Sequence, residues 1–179
     1  FERGINTNVA FIWDESADEF ALVTTNEDGT TTGNVSIVSY ATLHATSTAA
    51  QYSDLAERYE ADSSMEPGDV VKIGGEKEIT KTTEANDLDV FGVISTDPAY
   101  KMNADAGQDA THPYVALSGR VPCKVVGAVT KGQRLVSSDT DGVAKAASAP
   151  YTTQEVIGRA LESSTDENLK IVEIVVGKN

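Results

Sequence analysis

Ser53, Asp54 and Glu57 are the residues whose types and spacing come nearest to a reactive set in this sequence. They sit in the run Gln51-Tyr52-Ser53-Asp54-Leu55-Ala56-Glu57-Arg58-Tyr59, where a hydroxyl is followed at once by a carboxylate and three residues later by a second. A peptide bond can be broken by water or hydroxyl attack if one carboxylate accepts a proton and another supplies one. Two neighbouring carboxylates can divide those roles because each displaces the other's pKa. The same residues have a cheaper reading as a helix cap, with Ser53 or Asp54 at the N-terminus and Glu57 closing a capping box.

The remaining chemistry-bearing residues are sparse. His44 and His112 are the only histidines, are far apart, and have no HExxH-type spacing, so no metal site is expected. Asn26-Glu27-Asp28-Gly29 and Asp139-Thr140-Asp141-Gly142 lack the twelfth-position glutamate of a calcium loop and read as turns. Gly74-Gly75 is not followed by the residues of a phosphate loop, and no cofactor is expected. The single cysteine, Cys123, lies in the apolar run Val121 to Val126 and reads as a small buried side chain; it allows no intrachain disulfide. The formal charge of −14 argues against nucleic acid as a partner. Arg120, Arg134 and Arg159 are expected to pair with the abundant carboxylates. No apolar run is long enough to span a bilayer, so membrane insertion is not expected. The chain opens on Phe1 and reads as part of something longer.

The elements that must position these residues read as strands throughout. Frequent Val and Thr favour a pleated backbone. Asn8 to Trp13 and Glu19 to Thr24 form a predicted hairpin around the polar turn 14–18, with Trp13 and Phe20 on one face as its core. Val35 to Tyr40 is a third short strand. Two strands alone do not hold a fold in water, so like copies must complete this module, and a homotrimer is expected. Residues 1–45 are thus an oligomerising hairpin module, and 46–61 a linker with a short helix or turn. Residues 62–179 are a compact β domain of barrel or clip type. The fold class is all-β. Within the last domain the turn Glu66-Pro67-Gly68-Asp69 launches Val70 to Ile73. Further strands are expected at Glu78 to Thr83, Val90 to Ser95, Tyr114 to Leu117 and Val121 to Val126. Lys131-Gly132-Gln133-Arg134-Leu135-Val136 echoes Pro67 to Lys72, and Val156 to Leu161 echoes Val90 to Ser95. Closing strands at 114–117 and 169–176 complete what reads as an internal duplication, whose shared glycines mark close backbone approaches.

Three segments together carry a family resemblance: Tyr52-Ser53-Asp54-Leu55-Ala56-Glu57, Glu66-Pro67-Gly68-Asp69-Val70-Val71 and Phe91-Gly92-Val93-Ile94-Ser95. They resemble the phage peptidase G2 domain, the intramolecular chaperone autoproteolytic domain of phage appendage proteins. Val115 to Pro122 is similar to C-terminal domains of phage structural proteins, and Trp13-Asp14-Glu15-Ser16 to hairpins upstream of them. The resemblance implies a bacteriophage virion structural protein, a tail-fibre, appendage or capsid-fibre segment on the outside of the particle. Its implied partners are further copies of itself, other virion proteins and a host surface receptor. It also implies a Ser53–Asp54 cleavage junction with Asp54 and Glu57 as catalytic carboxylates. Arg58 departs from the aromatic residue that tends to follow that glutamate, which weakens the catalytic part. The alternatives are a trimeric capsid decoration protein and a single-turnover self-cleaving chaperone domain. A carbohydrate-binding tip would need an exposed Trp, whereas Trp13 is expected in the hairpin core.

Overall fold

The computed structural model describes Gly4 and residues 6–30, 33–43 and 53–177. The chain divides into two compact units, Phe1–Thr48 and Ala49–Asn179. Among the described residues every regular element longer than a single 3₁₀ turn is a strand, so the all-β expectation holds.

In the first unit β1 (Asn8–Asp14), β2 (Glu19–Thr25) and β3 (Ser39–Tyr40) form an antiparallel sheet in that order. The Asp14 side chain shapes the hairpin turn by accepting the Ser16 N–H at 3.0 Å and its hydroxyl at 2.6 Å, while Asp18 takes the left-handed conformation that Asp tolerates. The register pairs Asn8 with Thr25 and Asp14 with Glu19. Side chains alternate between faces. Ala21, Val23 and Thr25 are buried on one face, and Phe11, Trp13 and Phe20 stand on the other. The strand expected over Val35 to Tyr40 is only its last two residues.

The second unit opens with β4 (Asp54–Arg58), where a linker with a helix or turn was expected. Asp54 and Ala56 are buried and Leu55 is exposed, the period of two that a strand imposes and a helix does not. The expectation failed because the buried residue at the strand start is a carboxylate, which propensity assigns to caps and turns. Then follow β5 (Val70–Ile73), β6 (Ile79–Lys81), β7 (Val90–Ile94) and β8 (Tyr100–Met102). The long β9 (Tyr114–Val126) merges the two strands expected on either side of Gly119. β10 (Arg134–Ser137), β11 (Ala144–Ala146), β12 (Gly158–Ala160) and β13 (Lys170–Val176) complete the unit.

The pairings reveal two copies of one motif sharing β9. In the second, β9 pairs with β13, β13 with β12, β12 with β10, β10 with β11, and β11 returns parallel to β9, closing a five-strand barrel. In the first, β4 pairs with β9, β9 with β7, β7 with β5 and β5 with β6; a parallel bridge from Ile79 to Ala61 returns to the chain just after β4. The turns match bond for bond. Gly68 and Gly132 both have positive φ and donate to Ile94 and Ala160. The Asp69 and Gln133 carbonyls accept from those same residues. The Asp69 and Gln133 side chains accept the N–H of Glu66 at 2.9 Å and of Thr130 at 3.0 Å. The strand glycines Gly92 and Gly158 are equivalent too: a Cβ would lie 2.9 Å from the Ala116 carbonyl or 2.3 Å from that of Val175. Only glycine permits both approaches.

The interior of the first motif is built from Met65, Val71, Ile79, Ile94 and Val115. A larger cluster fills the second barrel with Val125, Leu135, Ala144 and Ile174 and continues onto Val70, Val93 and Ala116 of the first. Beside the junction Asp69, almost wholly buried, receives Lys124 and Lys81 at 2.7 Å each. Burial opposes its charge, but the Glu66 N–H and the two ammonium groups outweigh that and hold its carboxyl below the ordinary value.

Candidate functional site

Ser53 and Asp54 lie at the start of β4, where the chain meets Gly119 of β9. Gly119 has a φ of 111°, and a Cβ there would come 2.2 Å from the Ser53 carbonyl oxygen. The strand can seat the Ser53–Asp54 peptide this closely only because residue 119 has no side chain. Gly119→Ala is therefore expected to destabilise the second unit by about 2–3 kcal/mol, from an unfavourable φ plus the clash. Urea unfolding of the variant measures this, and an unchanged midpoint would contradict the close fit.

A cleft of about 220 Å³ opens at this point, lined by Ser53, Asp54, Ser95, Asp97, Arg120 and Glu173 among others. Asp54 is buried, and the Ser95 hydroxyl donates to its Oδ2 at 2.6 Å. The Asp54 carbonyl accepts the Ala99 N–H at 2.9 Å, which fixes the backbone beyond the junction. Glu57 lies elsewhere: its carboxylate accepts the Tyr59 hydroxyl at 2.9 Å, and the Tyr59 ring meets Phe91 edge-on at 5.0 Å. Burial and then this bond push the Tyr59 phenol up to about 12. The structure thus brings Ser53 and Asp54 together with Ser95 and gives Glu57 a separate partner. Ser95 was not singled out in the sequence, although it ends the segment Phe91 to Ser95; only the pairing of β7, β9 and β4 carries it to Asp54.

The other described candidates fall outside the cleft. Cys123 is wholly buried, and burial followed by the Asp69 charge pushes its thiol up to about 12, which leaves no thiolate for chemistry. The His112 ring sits 3.0 Å from the Thr111 hydroxyl. His44 lies outside the described residues. Arg58, at the departure from the family pattern, pairs with Asp109 at 2.8 Å and stacks over the Tyr114 ring at 4.0 Å.

In the first unit, β1 and β2 present an aromatic face. Phe11 and Phe20 stack at 5.3 Å, and Trp13 meets Phe20 edge-on at 5.0 Å. Trp13 and Phe20 were expected to form the hairpin's core, but in the single chain Phe20 is 67% and Trp13 46% exposed, and Phe11 beside them is 68% exposed. The reason is geometric: among the described residues of the first unit none forms a second layer over that face, and the apolar residues it does bury, Ala21 and Val23, are on the other. The Trp13 indole donates to Glu15 at 2.6 Å.

No family model and no curated protein matches the chain. Among solved structures it is similar to the C-terminal fragment of gene product 12 of bacteriophage phi29, with 15% identity and a TM-score of 0.49 over 69% of this chain and 99% of that one. It is also similar to the N base of the head fibre gp8.5 of bacteriophage phi29, with 16% identity and a TM-score of 0.40 over 69% of this chain and 93% of that one. At these values the likeness assigns neither a family nor an activity.

Proposed function

We propose that this chain is an architectural part of a bacteriophage particle, a tail-fibre, appendage or capsid-fibre segment that assembles as a homotrimer through its N-terminal sheet. The observation that carries the reading is the exposed Phe11, Trp13 and Phe20 face. Stacked aromatics left in water are costly, and a small sheet with so little buried apolar surface gains its stability from a partner. Like copies supply that partner with the same face. The phage context is supported by the segments at Ser53–Asp54, Glu66 to Val71 and Phe91 to Ser95. Other virion proteins and a host surface receptor are the further partners this role entails. Immunogold labelling of assembled particles tests it. Label on fibres or appendages is the expected result, label over the capsid faces would favour a decoration protein, and particles without label would refute a virion role.

A second reading is a single self-cleavage between Ser53 and Asp54. It is supported by the position of that peptide on the cleft, with the Asp54 carboxylate polarising the Ser95 hydroxyl. Against it stands Glu57, which the fold ties to Tyr59. Intact-mass analysis of the expressed chain separates the readings. The architectural role predicts one uncut polypeptide, and a fragment beginning at Asp54 that disappears in Asp54→Asn would establish cleavage.

A further inference from the structure

The duplication allows each wall of the second barrel to be compared with its counterpart in the first. In the first motif one row runs across four strands, Val70 opposite Val93, Val93 opposite Ala116 and Ala116 opposite Ala56. All four residues are fully buried, and Val70, Val93 and Ala116 belong to the cluster that fills the second barrel. The Val70 N–H also donates to the Gly142 carbonyl of the second barrel at 2.8 Å. This wall is where the first motif packs against the second barrel.

The equivalent row of the second barrel is Arg134 opposite Arg159, Arg159 opposite Val175 and Val175 opposite Arg120. None of the four is buried. Directly opposed residues of antiparallel strands share a face, and like charges in that position repel. Arg120 shares the cleft beside β4 with Asp54, Asp97 and Glu173 but forms no ion pair with them. Among the described residues Arg120, Arg134 and Arg159 make no ion pair, although all three were expected to find one. By contrast, the basic residues of the first motif, Arg58, Lys72, Lys77, Lys81 and Lys101, all have acidic partners, as does Lys124 of β9, whereas among the described residues Lys131, Lys145 and Lys170 of the second half make no ion pair either. Arg134 reaches the Tyr151 hydroxyl at 3.2 Å, yet its Nε is buried without an acceptor.

We infer that the Arg134–Arg159–Arg120 wall is a docking surface for the carboxylate-rich surface of a second copy of this chain. The fold already uses the equivalent wall of the first motif to pack against the second barrel, and a second copy, with 28 acidic residues, carries carboxylates that complement the arginines. A surface that receives a different surface of the next copy makes a head-to-tail contact, which closes into a ring in a cyclic trimer. The inference rests on the homo-oligomer reading but on a different unit and a different force from the aromatic face.

The test is sedimentation velocity of the full chain at low and high salt, beside Arg134→Glu/Arg159→Glu and the neutral Arg134→Gln/Arg159→Gln. At low salt the wild type is expected to be oligomeric and to dissociate at least tenfold more readily at high salt. The charge-reversed chain is expected to dissociate at least tenfold more readily than the wild type at low salt and to lose the salt dependence, with the neutral pair intermediate. Near-ultraviolet and far-ultraviolet circular dichroism establish that the variants fold. Folded variants that associate like the wild type would overturn the arginine contact while leaving aromatic-face assembly standing. A monomeric wild type would overturn both. Gain of association only with added inorganic phosphate would also overturn it, by assigning the wall to a free oxyanion.

Discussion

Replacing Asp69 with Asn is expected to cost the second unit about 3 kcal/mol, toward the lower end of what is lost when one member of a buried ion pair is removed. Asp69 holds Lys124 and Lys81 at 2.7 Å and the Glu66 N–H at 2.9 Å. The duplication separates these roles. Gln133 makes the equivalent turn bond with a neutral amide, so Asn can preserve that bond and lose only the charge. Lys124 then keeps Glu66 as its acidic partner, while Lys81 keeps none. The dependence on pH has a defined sign. The folded Asp69 carboxyl lies below its ordinary value, so its contribution is complete above the unfolded carboxyl pKa of about 3.9 and is lost as pH falls through the folded value. Lys124 behaves oppositely. Burial works against its charge, but Asp69 and Glu66 raise it above the ordinary value, so its contribution is present at neutral pH and lost as pH rises past about 10.5. Urea unfolding across pH is expected to show both limbs in the wild type and a weakened acid limb in Asp69→Asn. An equal loss at pH 2 and pH 7 would show that the carboxylate charge is not what matters.

The second large effect is expected from Phe11→Ser/Phe20→Ser. Burial of one Phe is worth roughly 1.5–3 kcal/mol. Two such losses per protomer are expected to raise the dissociation constant of the assembly by about a hundredfold or more. Each chain should retain its own β1–β2 register, because the Asp14 turn and the buried Ala21 and Val23 do not depend on those rings. Wild-type-like association by folded Phe11→Ser/Phe20→Ser would remove the aromatic face as the assembly surface. Trp13 fluorescence adds a second measure: its indole is half-exposed in one chain, and a blue shift on concentration is expected only where the rings are intact.

Much of this architecture is legible in the residues. Hairpin strands were expected at 8–13 and 19–24 and run Asn8–Asp14 and Glu19–Thr25, because alternating apolar residues flank a turn rich in Asp and Ser. Val70–Ile73 forms where Pro67-Gly68-Asp69 predicts a turn and a strand start. The duplication was readable as Gly68/Gly132 and Gly92/Gly158 because both pairs are constrained by backbone geometry, which tolerates no substitute. What the sequence hid depends on contacts between distant segments. β4 does not look like a strand because Asp54 is buried, and Ser95, its partner, is 41 residues away. The exposure of Phe11, Trp13 and Phe20 cannot be read from an amphipathic pattern, which says that a face is apolar but not what covers it. The uncompensated arginines were hidden for the same reason. Abundant carboxylates suggest pairing, but the register of β9, β10, β12 and β13 places Arg120, Arg134 and Arg159 in one row with each other.

The central claim is that the N-terminal sheet is completed by like copies. Sedimentation equilibrium of the full chain over a hundredfold range of concentration tests it most directly. The predicted result is a species of three times the 18.9 kDa chain mass, persisting into the low micromolar range. A single well-folded species at 18.9 kDa across that range, with Trp13 in the same environment throughout, would contradict it.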